Sequence, residues 1–464
     1  MNFLFGLTPQ ETIQKTLTQS SEIQKQRFEI QSNELVEPLF LSDLDTQVDS
    51  LYTSTTDKSP RSAPVFEGNR SKTDVFNVGF SQKTLLGTQT RLAWENTRLK
   101  NPSFFREIDP TVDSILKLEI RQSLLKYAWG RPDVSRRKRY RSDVLVAQER
   151  FQFSKESLAI EALKAHLDLY EAKEQVRIAQ SALESSERLL RKNLEKKRYG
   201  IVEESDVFQA EASLESDKTE LLLSKLSFQL AENKLSELIK ETLPQKNEII
   251  ISPLPLMIIS SLDEALRMAV LNRADLKAQN AVVESSQWAF RSEKLETLPD
   301  LFFTGSYGSA GLDNNYNGAW DQVIDFKNPV TMAGLGVSFS IGNKKEKLLR
   351  RNKELAHQIA LQDQKTLQER INREVNDAWQ VWKISKEKLE ARDKLFQLQK
   401  KKLLAEEKNF SRGRSNTDLL VRFQQDIYRS ELELLSAETN EIFSRANLAR
   451  SVGILIQWLE VKIP

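Results

Sequence analysis

The chain contains no cysteine and only two histidines, His166 and His357. Disulfides, thiolate metal sites and cysteine nucleophiles are excluded, and a histidine metal cluster or relay has too few members. Turn formers are scarce too: fifteen glycines and thirteen prolines in 464 residues are about half the usual share. A chain so poor in turns has long elements. There is no surplus of either charge, with 68 Lys and Arg against 66 Asp and Glu. That balance argues against a nucleic-acid partner, whose grip would need a basic excess. No apolar run reaches the ~20 residues of a spanning helix, and the longest, 253–262, is interrupted. The first seven residues show no basic segment and no small-residue cleavage site. Either the numbering describes a processed chain or the protein stays in the cytoplasm. Phosphate-binding and dinucleotide glycine patterns are missing, so neither enzyme chemistry nor a cofactor nor a metal is expected.

What the chain does have is self-similarity. At an offset of 253, Glu11, Ile13, Ile23 and Gln26 match Glu264, Leu266, Leu276 and Gln279. Further on the offset becomes 213. Ala162, Leu169, Val176, Leu183 and Leu190 correspond to Val375, Trp382, Leu389, Phe396 and Leu403. Beyond the matched glycines Gly200 and Gly413, the pairs Val207/Leu420, Leu214/Ile427, Leu221/Leu434 and Leu235/Leu448 continue the series. Two repeats, about 1–240 and 261–464, are therefore expected, the first about 40 residues longer.

A seven-residue apolar period implies helices in coiled-coil packing. Ala165, Ala172, Ala179 and Ser186 in the first repeat, and Ser430, Ala437 and Ser444 at the end, put small residues on the seam. Helix axes can then approach closely in antiparallel hairpins. Between Pro132 and Tyr199 there is neither Gly nor Pro, which predicts a helix about 100 Å long. Each long helix ends at a glycine, in Arg198-Tyr199-Gly200 and Ser411-Arg412-Gly413, where a left-handed residue is favoured. Ser205/Asp206 and Thr417/Asp418 are candidates to cap the returning helices.

Segments of period two separate the helical parts. Strands are expected at about 46–55, 114–123, 301–308 and 332–341, with apolar residues such as Leu116, Leu118, Ile120, Leu335 and Val337 on one side. The fall in offset places an insertion between the first two strands, itself a hairpin at about 74–97 built on Phe76, Val78, Phe80, Leu92 and Trp94. Strands of about ten residues cross a bilayer when tilted. Four cannot close a barrel, and an open edge in lipid leaves backbone groups unsatisfied. Membrane strands here imply several chains sharing one barrel. Trp94, Tyr307 and Trp320 are candidate interfacial anchors or ordinary loop packing.

The order of motifs resembles the TolC family of outer-membrane efflux and secretion channels over essentially the whole chain. Leu262-Asp-Glu-Ala-Leu266 with Asn272-Arg-Ala-Asp-Leu276 resembles the family's L-D-E-A-L…N-R-P-D-L opening, with Ala274 replacing Pro. Leu298-Pro299-Asp300-Leu301 resembles its L-P-x-L strand start, and Tyr199-Gly200…Asp206-Val207-Phe208-Gln209-Ala210 its first tip. Gly413…Asp418-Leu419-Leu420 resembles the second tip, one residue shorter. The resemblance implies a mainly α protein with β, in which duplicated antiparallel coiled-coil hairpins and membrane strands form a trimeric helical tunnel and a shared 12-stranded barrel. It implies a homotrimer in the outer membrane of a Gram-negative-type bacterium, with its helices in the periplasm. The implied partners are outer-membrane lipid, a periplasmic adaptor and an inner-membrane pump or ABC exporter.

On the same resemblance, gate candidates are Asp206, Asp418 and Arg422, since the family's second tip aspartate falls at Val421. That departure favours a structural capping role for the two aspartates. Adaptor contacts are expected at the tips: Arg198, Tyr199, Gly200, Arg412, Gly413 and Arg414. Two basic clusters, around Arg136, Arg137 and Lys138 and around Lys344 and Lys345, occupy equivalent places. They read either as a solvated helix start near headgroups or as a pore zone favouring anionic cargo. The competing class is a soluble structural coiled-coil protein, which has no reason to repeat alternating strands in both halves.

Overall fold

The computed structural model describes residues 7–68, 70–102, 107–241, 255 and 259–461. The first six residues, and positions 253, 254 and 256–258 of the interrupted apolar run, lie outside them. The chain divides into two compact units, one of Met1–Glu29, Ala147–Ala278 and Gln364–Pro464, the other of Ile30–Val146 and Gln279–Asp363. Among the described residues no helix is long and apolar enough to cross a membrane.

Helix α1 (Pro9–Gln19) leads into α2 (Ser21–Ser42); α6 (Leu262–Asn272) leads likewise into α7 (Ala274–Glu296). The two lead-in helices begin alike. Thr8 accepts the Glu11 N–H at 3.2 Å while the Glu11 carboxylate accepts the Thr8 N–H at 3.1 Å. Ser261 accepts from Glu264 N–H at 3.3 Å, and the Glu264 carboxylate accepts from Ser260 N–H at 2.9 Å. This capping chemistry explains why glutamate recurs at both places.

The long hairpins are α4 (Arg131–Arg198) with α5 (Glu204–Ile239) and α9 (Lys344–Ser411) with α10 (Thr417–Ser451). Both α4 and α9 have 68 residues, and their bounds differ by 213 at each end. In the helical unit, Ala165, Ala172, Ala179 and Ser186 are all buried, so the small seam positions face the packing and not solvent. The main core joins Ile13 and Leu17 of α1, Ala162, Leu163 and Leu167 of α4, Ala265 and Leu276 of the lead-in pair, Ile371 and Val375 of α9, and Leu448 of α10. Helix α11 (Leu455–Trp458) closes it with Leu455 and Trp458.

In the second unit one antiparallel sheet runs in chain order: β1 (Gln47–Asp57), β2 (Ser71–Lys83), β3 (Thr88–Lys100), β4 (Thr111–Ser123), β5 (Asp300–Asp313) and β6 (Pro329–Ser338). Two short helices, α3 (Pro64–Glu67) and α8 (Tyr316–Ile324), lie in strand connections. The hairpin expected at 74–97 spans β2 and β3 and sits between β1 and β4, so the chain contributes six sheet strands rather than four. Register pairs Val48 with Phe80, Phe80 with Leu92, Leu92 with Leu118, Leu118 with Tyr307 and Tyr307 with Thr331. Because successive side chains alternate, this chain of partners shares one face. Phe76, Val78, Trp94, Leu116, Ile120, Phe303, Ala333 and Leu335 lie on it too. The opposite face carries Asp49, Arg91, Glu95, Lys117, Glu119 and Arg121. Strand β6 ends at Ser338, so Phe339 and Ile341, expected to continue its alternation, lie beyond the ladder and exposed.

Candidate functional site

The helix tips are built by backbone geometry. Gly200 N–H bonds Lys197 O at 2.9 Å and Ile201 N–H reaches Lys196 O at 3.0 Å; Gly413 N–H bonds Phe410 O at 3.2 Å and Arg414 N–H reaches Asn409 O at 2.9 Å. Both are Schellman closures, with φ +67° at Gly200 and +72° at Gly413. Arg198, Tyr199, Gly200, Arg412, Gly413 and Arg414 are all exposed around these turns. Behind them Leu189, Ala210, Phe410, Leu420 and Val421 form a small core. Lys196 lies over the Phe410 ring at 3.7 Å and donates to its carbonyl at 3.3 Å. Partial burial, with Lys192 nearby, holds the Lys196 ammonium below its ordinary range.

The returning helices start earlier than the capping candidates implied. The N-cap of α5 is Glu203, and the Asp206 carboxylate accepts the Glu203 N–H at 3.3 Å from the third helical position. The N-cap of α10 is Asn416, which accepts from Leu419 N–H at 2.9 Å. Ser205 and Thr417 are therefore inside their helices. Asp418 pairs with Arg422 at 3.2 Å, one turn on, with both side chains exposed. A second link between the two tips, beside Lys196 and Phe410, has no counterpart among the residues singled out in the sequence. Asn193 is fully buried, and its amide donates to Asp206 O at 3.3 Å and to the Thr417 hydroxyl at 3.2 Å. An asparagine on an otherwise apolar heptad face was the available signal.

The first basic cluster is largely matched by acids. Arg136 bonds Asp133 at 3.0 Å and also pairs with Glu296. Arg137 and Arg141 converge on Glu37, each at 2.9 Å. The Arg141 hydrogen bond, helped by Arg137, holds the Glu37 carboxyl below the usual range against some burial. Lys138 sits over the Trp288 ring at 4.3 Å. Lys344 and Lys345 are exposed in the first turn of α9.

The two sheet faces differ in chemistry. On the charged face Arg91 of β3 reaches across β2 to Asp49 of β1 at 2.9 Å. Gly79 lies beneath this pair: a Cβ there would meet Asp49 Oδ1 at 2.7 Å and Arg91 Nη2 at 2.8 Å. Lys117 bonds Glu95 and Glu119, each at 3.1 Å, and Arg121 bonds Asp300 at 3.1 Å. This side also holds a polar recess of about 510 Å³ lined by Asp45, Gln47, Lys83, Arg91, Glu119 and Arg121. On the apolar face Trp94 packs against Trp320 of α8 at 4.6 Å, Tyr307 stacks on Phe326 at 5.9 Å, and Trp94 donates to Ser114 at 3.0 Å. Two of the three aromatic candidates, Trp94 and Trp320, thus pack on each other, while Tyr307 lies one same-face step away in register and stacks on Phe326.

The N-R-A-D-L segment has its own geometry. Arg273 is 5% exposed and holds Asp275 through two bonds, at 2.9 and 2.7 Å, Glu374 at 2.7 Å and Ser451 O at 3.3 Å. The motif is a clasp on the helical core. Among the described residues no group of three or more His, Cys, Asp or Glu is placed to hold a metal.

No family model and no characterised protein sequence matches the chain. Solved structures do. CusC, whose structures concern transmembrane channel formation, superposes with a TM-score of 0.70 at 12% identity, covering 98% of this chain and 95% of that one. The Campylobacter jejuni outer membrane channel CmeC follows at 0.68 and 15%, over 96% and 86%. The open state of the Neisseria gonorrhoeae outer membrane channel MtrE gives 0.67 and 16%, over 96% and 88%. The fold is that of the TolC-like outer-membrane channels. Among the described residues of this chain the lead-in helices, strands and long hairpin occur twice, with four strands in the first half and two in the second. The likeness holds at identities where only the order of weak motifs was readable in the sequence.

Proposed function

We propose that the protein is the outer-membrane channel of a tripartite efflux or type I secretion system. It conducts small molecules or proteins passively, from an inner-membrane pump or ABC exporter to the exterior. The observation that carries this reading is the two-faced sheet. An apolar face with Val48, Tyr52, Leu118, Tyr307 and Leu335 exposed suits lipid, and a face of ion pairs suits a wet lumen. Among the described residues the edges of β1 and β6 have no partner, which lipid forbids, so copies of the chain complete one another. Exposed Leu223, Leu226 and Leu230 on α5, and Leu348, Leu355 and Ile359 on α9, supply apolar stripes for packing between copies. A homotrimer built from a duplicated chain surrounds its axis with six quasi-equivalent hairpins, and these wall a periplasmic tunnel. The chain's chemistry is conduction, with no reaction and no cofactor.

In this reading the glycine turns at Gly200 and Gly413 face a periplasmic adaptor, with Arg198, Tyr199, Arg412 and Arg414 as its first contacts. Asp206, Asp418 and Arg422 line the entrance. There the Asp418–Arg422 pair leaves little net charge, which favours a gate held by packing and by Asn193 over an acidic ring. The soluble coiled-coil alternative leaves the apolar sheet face unexplained. Planar-bilayer recording of the purified protein tests the reading: discrete conductance steps are expected, and a protein that fractionates as soluble and forms no pores refutes it. Replacing Arg198, Arg412 and Arg414 together by alanine should weaken adaptor pull-down; unchanged capture removes the tip assignment alone.

A further inference from the structure

Given the channel reading, on which this step rests, the number of strands in the wall decides the size of the pore. The β2–β3 hairpin is built into the sheet. All eleven residues of β1 pair with β2, and β3 pairs with β4 from Thr88 to Leu99. The Asp49–Arg91 ion pair spans β1 to β3 and passes directly over Gly79. The lower end of the hairpin is braced: Lys83 pairs with Asp133 at 3.1 Å and Gln122 donates to Leu86 O at 3.3 Å. Its Phe76, Val78, Phe80, Leu92 and Trp94 continue the apolar face from β1 to β4 without interruption. Removing it from the wall would break the pairing of β1 with β2 along the whole length of β1.

The sheet's two edges are complementary. Strand β1 has eleven residues and β6 has ten. In a six-stranded antiparallel meander the first and last strands run in opposite directions, so β6 of one copy meets β1 of the next with antiparallel polarity. Both edges carry exposed apolar side chains, Val48 and Tyr52 on β1 and Leu335 and Val337 on β6. Long uncovered edges of this kind pair with another chain. We infer that the partner of the β6 edge is β1 of a second copy, and that three copies close an eighteen-stranded barrel instead of a twelve-stranded one. At a strand spacing of ~4.8 Å and a tilt of ~40°, the backbone diameter becomes about 36 Å, against about 24 Å for twelve strands. The cross-section is roughly twofold larger on the same geometry.

Electron microscopy of the full-length protein in lipid nanodiscs reads the copy number and the ring diameter together. Three copies around a ring of about 36 Å are expected. Three copies around a ring of about 24 Å would place the hairpin outside the wall; that overturns this inference and leaves the channel reading standing. No membrane-embedded ring overturns both. Because the chain has no native cysteine, the edge contact has an independent test. Ser50→Cys on β1, combined in turn with Thr331→Cys and Ala333→Cys on the same face of β6, should give covalent trimers after oxidation in at least one pairing. Single variants should give none. A trimer that yields no cross-link in either pairing, nor when the β1 cysteine is moved to Val48 or Tyr52, contradicts the β6–β1 contact.

Discussion

The Arg273 clasp gives the sharpest test of what holds the helical unit together. Arg273→Ala leaves the Asp275 carboxylate, whose side chain is 13% exposed, with the Leu276 N–H at 2.9 Å in place of a bidentate guanidinium. Glu374 is better placed, since its side chain is 38% exposed and Arg370 stands one turn away at 3.7 Å. Breaking a buried pair by removing one partner costs about 3–5 kcal/mol. The relief available to Glu374 puts the expected loss at the lower end, about 3 kcal/mol. Arg273→Lys should recover only part of it, because one ammonium cannot make the planar two-bond contact and also reach Glu374 and Ser451.

A second effect makes the prediction specific. Burial pushes the Glu156 carboxyl up to about 7 from 4.5, and Arg273 is the strongest charge opposing that shift. Without Arg273 the carboxyl rises further, so the variant should lose more stability at pH 8.5 than at pH 5. The measurement is urea unfolding followed by tryptophan emission, for which Trp458 in the same core is a reporter. Replacing both partners, Arg273→Met with Asp275→Leu, should restore most of the loss, since it removes the buried carboxylate and leaves only the partly exposed Glu374, which Arg370 faces. A loss below ~1 kcal/mol for Arg273→Ala, or a double variant no better than the single, refutes the clasp as a stabilising element.

The remaining tests are shorter. A carboxyl with a raised folded pKa takes up its proton more readily folded than unfolded, so the Glu156 contribution declines as pH rises from 4.5 to about 7. Glu156→Gln should therefore stabilise by up to about 3 kcal/mol at pH 8.5 and by almost nothing at pH 4; urea midpoints at the two pH values check this. Glu37 has the opposite sign: its depressed pKa contributes stability above the unfolded value, lost as pH falls through the folded one. Glu37→Gln should flatten that acid limb, and an unchanged acid transition counts against the Arg137–Arg141 pairing. Gly200→Ala and Gly413→Ala should each cost about 1 kcal/mol, purely from left-handed strain, as nothing lies within 4 Å of either; thermal melts decide. Neutralising Arg136 and Arg137 takes a partner from each of Asp133, Glu296 and Glu37, so reversal potentials should shift toward cations if this zone lines the pore; unchanged potentials remove it from the lining.

How far the sequence reached depends on whether a feature is local or periodic. The heptad series and the offset of 213 come from packing that repeats every two turns, and α4 and α9 keep that offset at both ends. Helix starts were missed by one to three residues. Several cap-capable residues crowd each tip, and only the backbone decides that Glu203 and Asn416 stand outside their helices. The basic clusters looked unmatched because Arg137 finds Glu37 and Arg136 finds Glu296 across 100 and 160 residues. No window along the chain contains those partners. The hairpin was visible, but its position between β1 and β4 was not, since alternation marks a strand without naming its neighbour.

Adding a hairpin adds two strands, and an even number leaves every later strand with its direction unchanged. Strands β4, β5 and β6 therefore keep their direction, and the second offset stays at 213 from α4 to the start of α10 because no net residue is gained or lost after β4. A single inserted strand would have sent α4 out on the opposite side of the sheet. Two strands can thus be added to the sheet of one chain without reversing β4, β5 or β6.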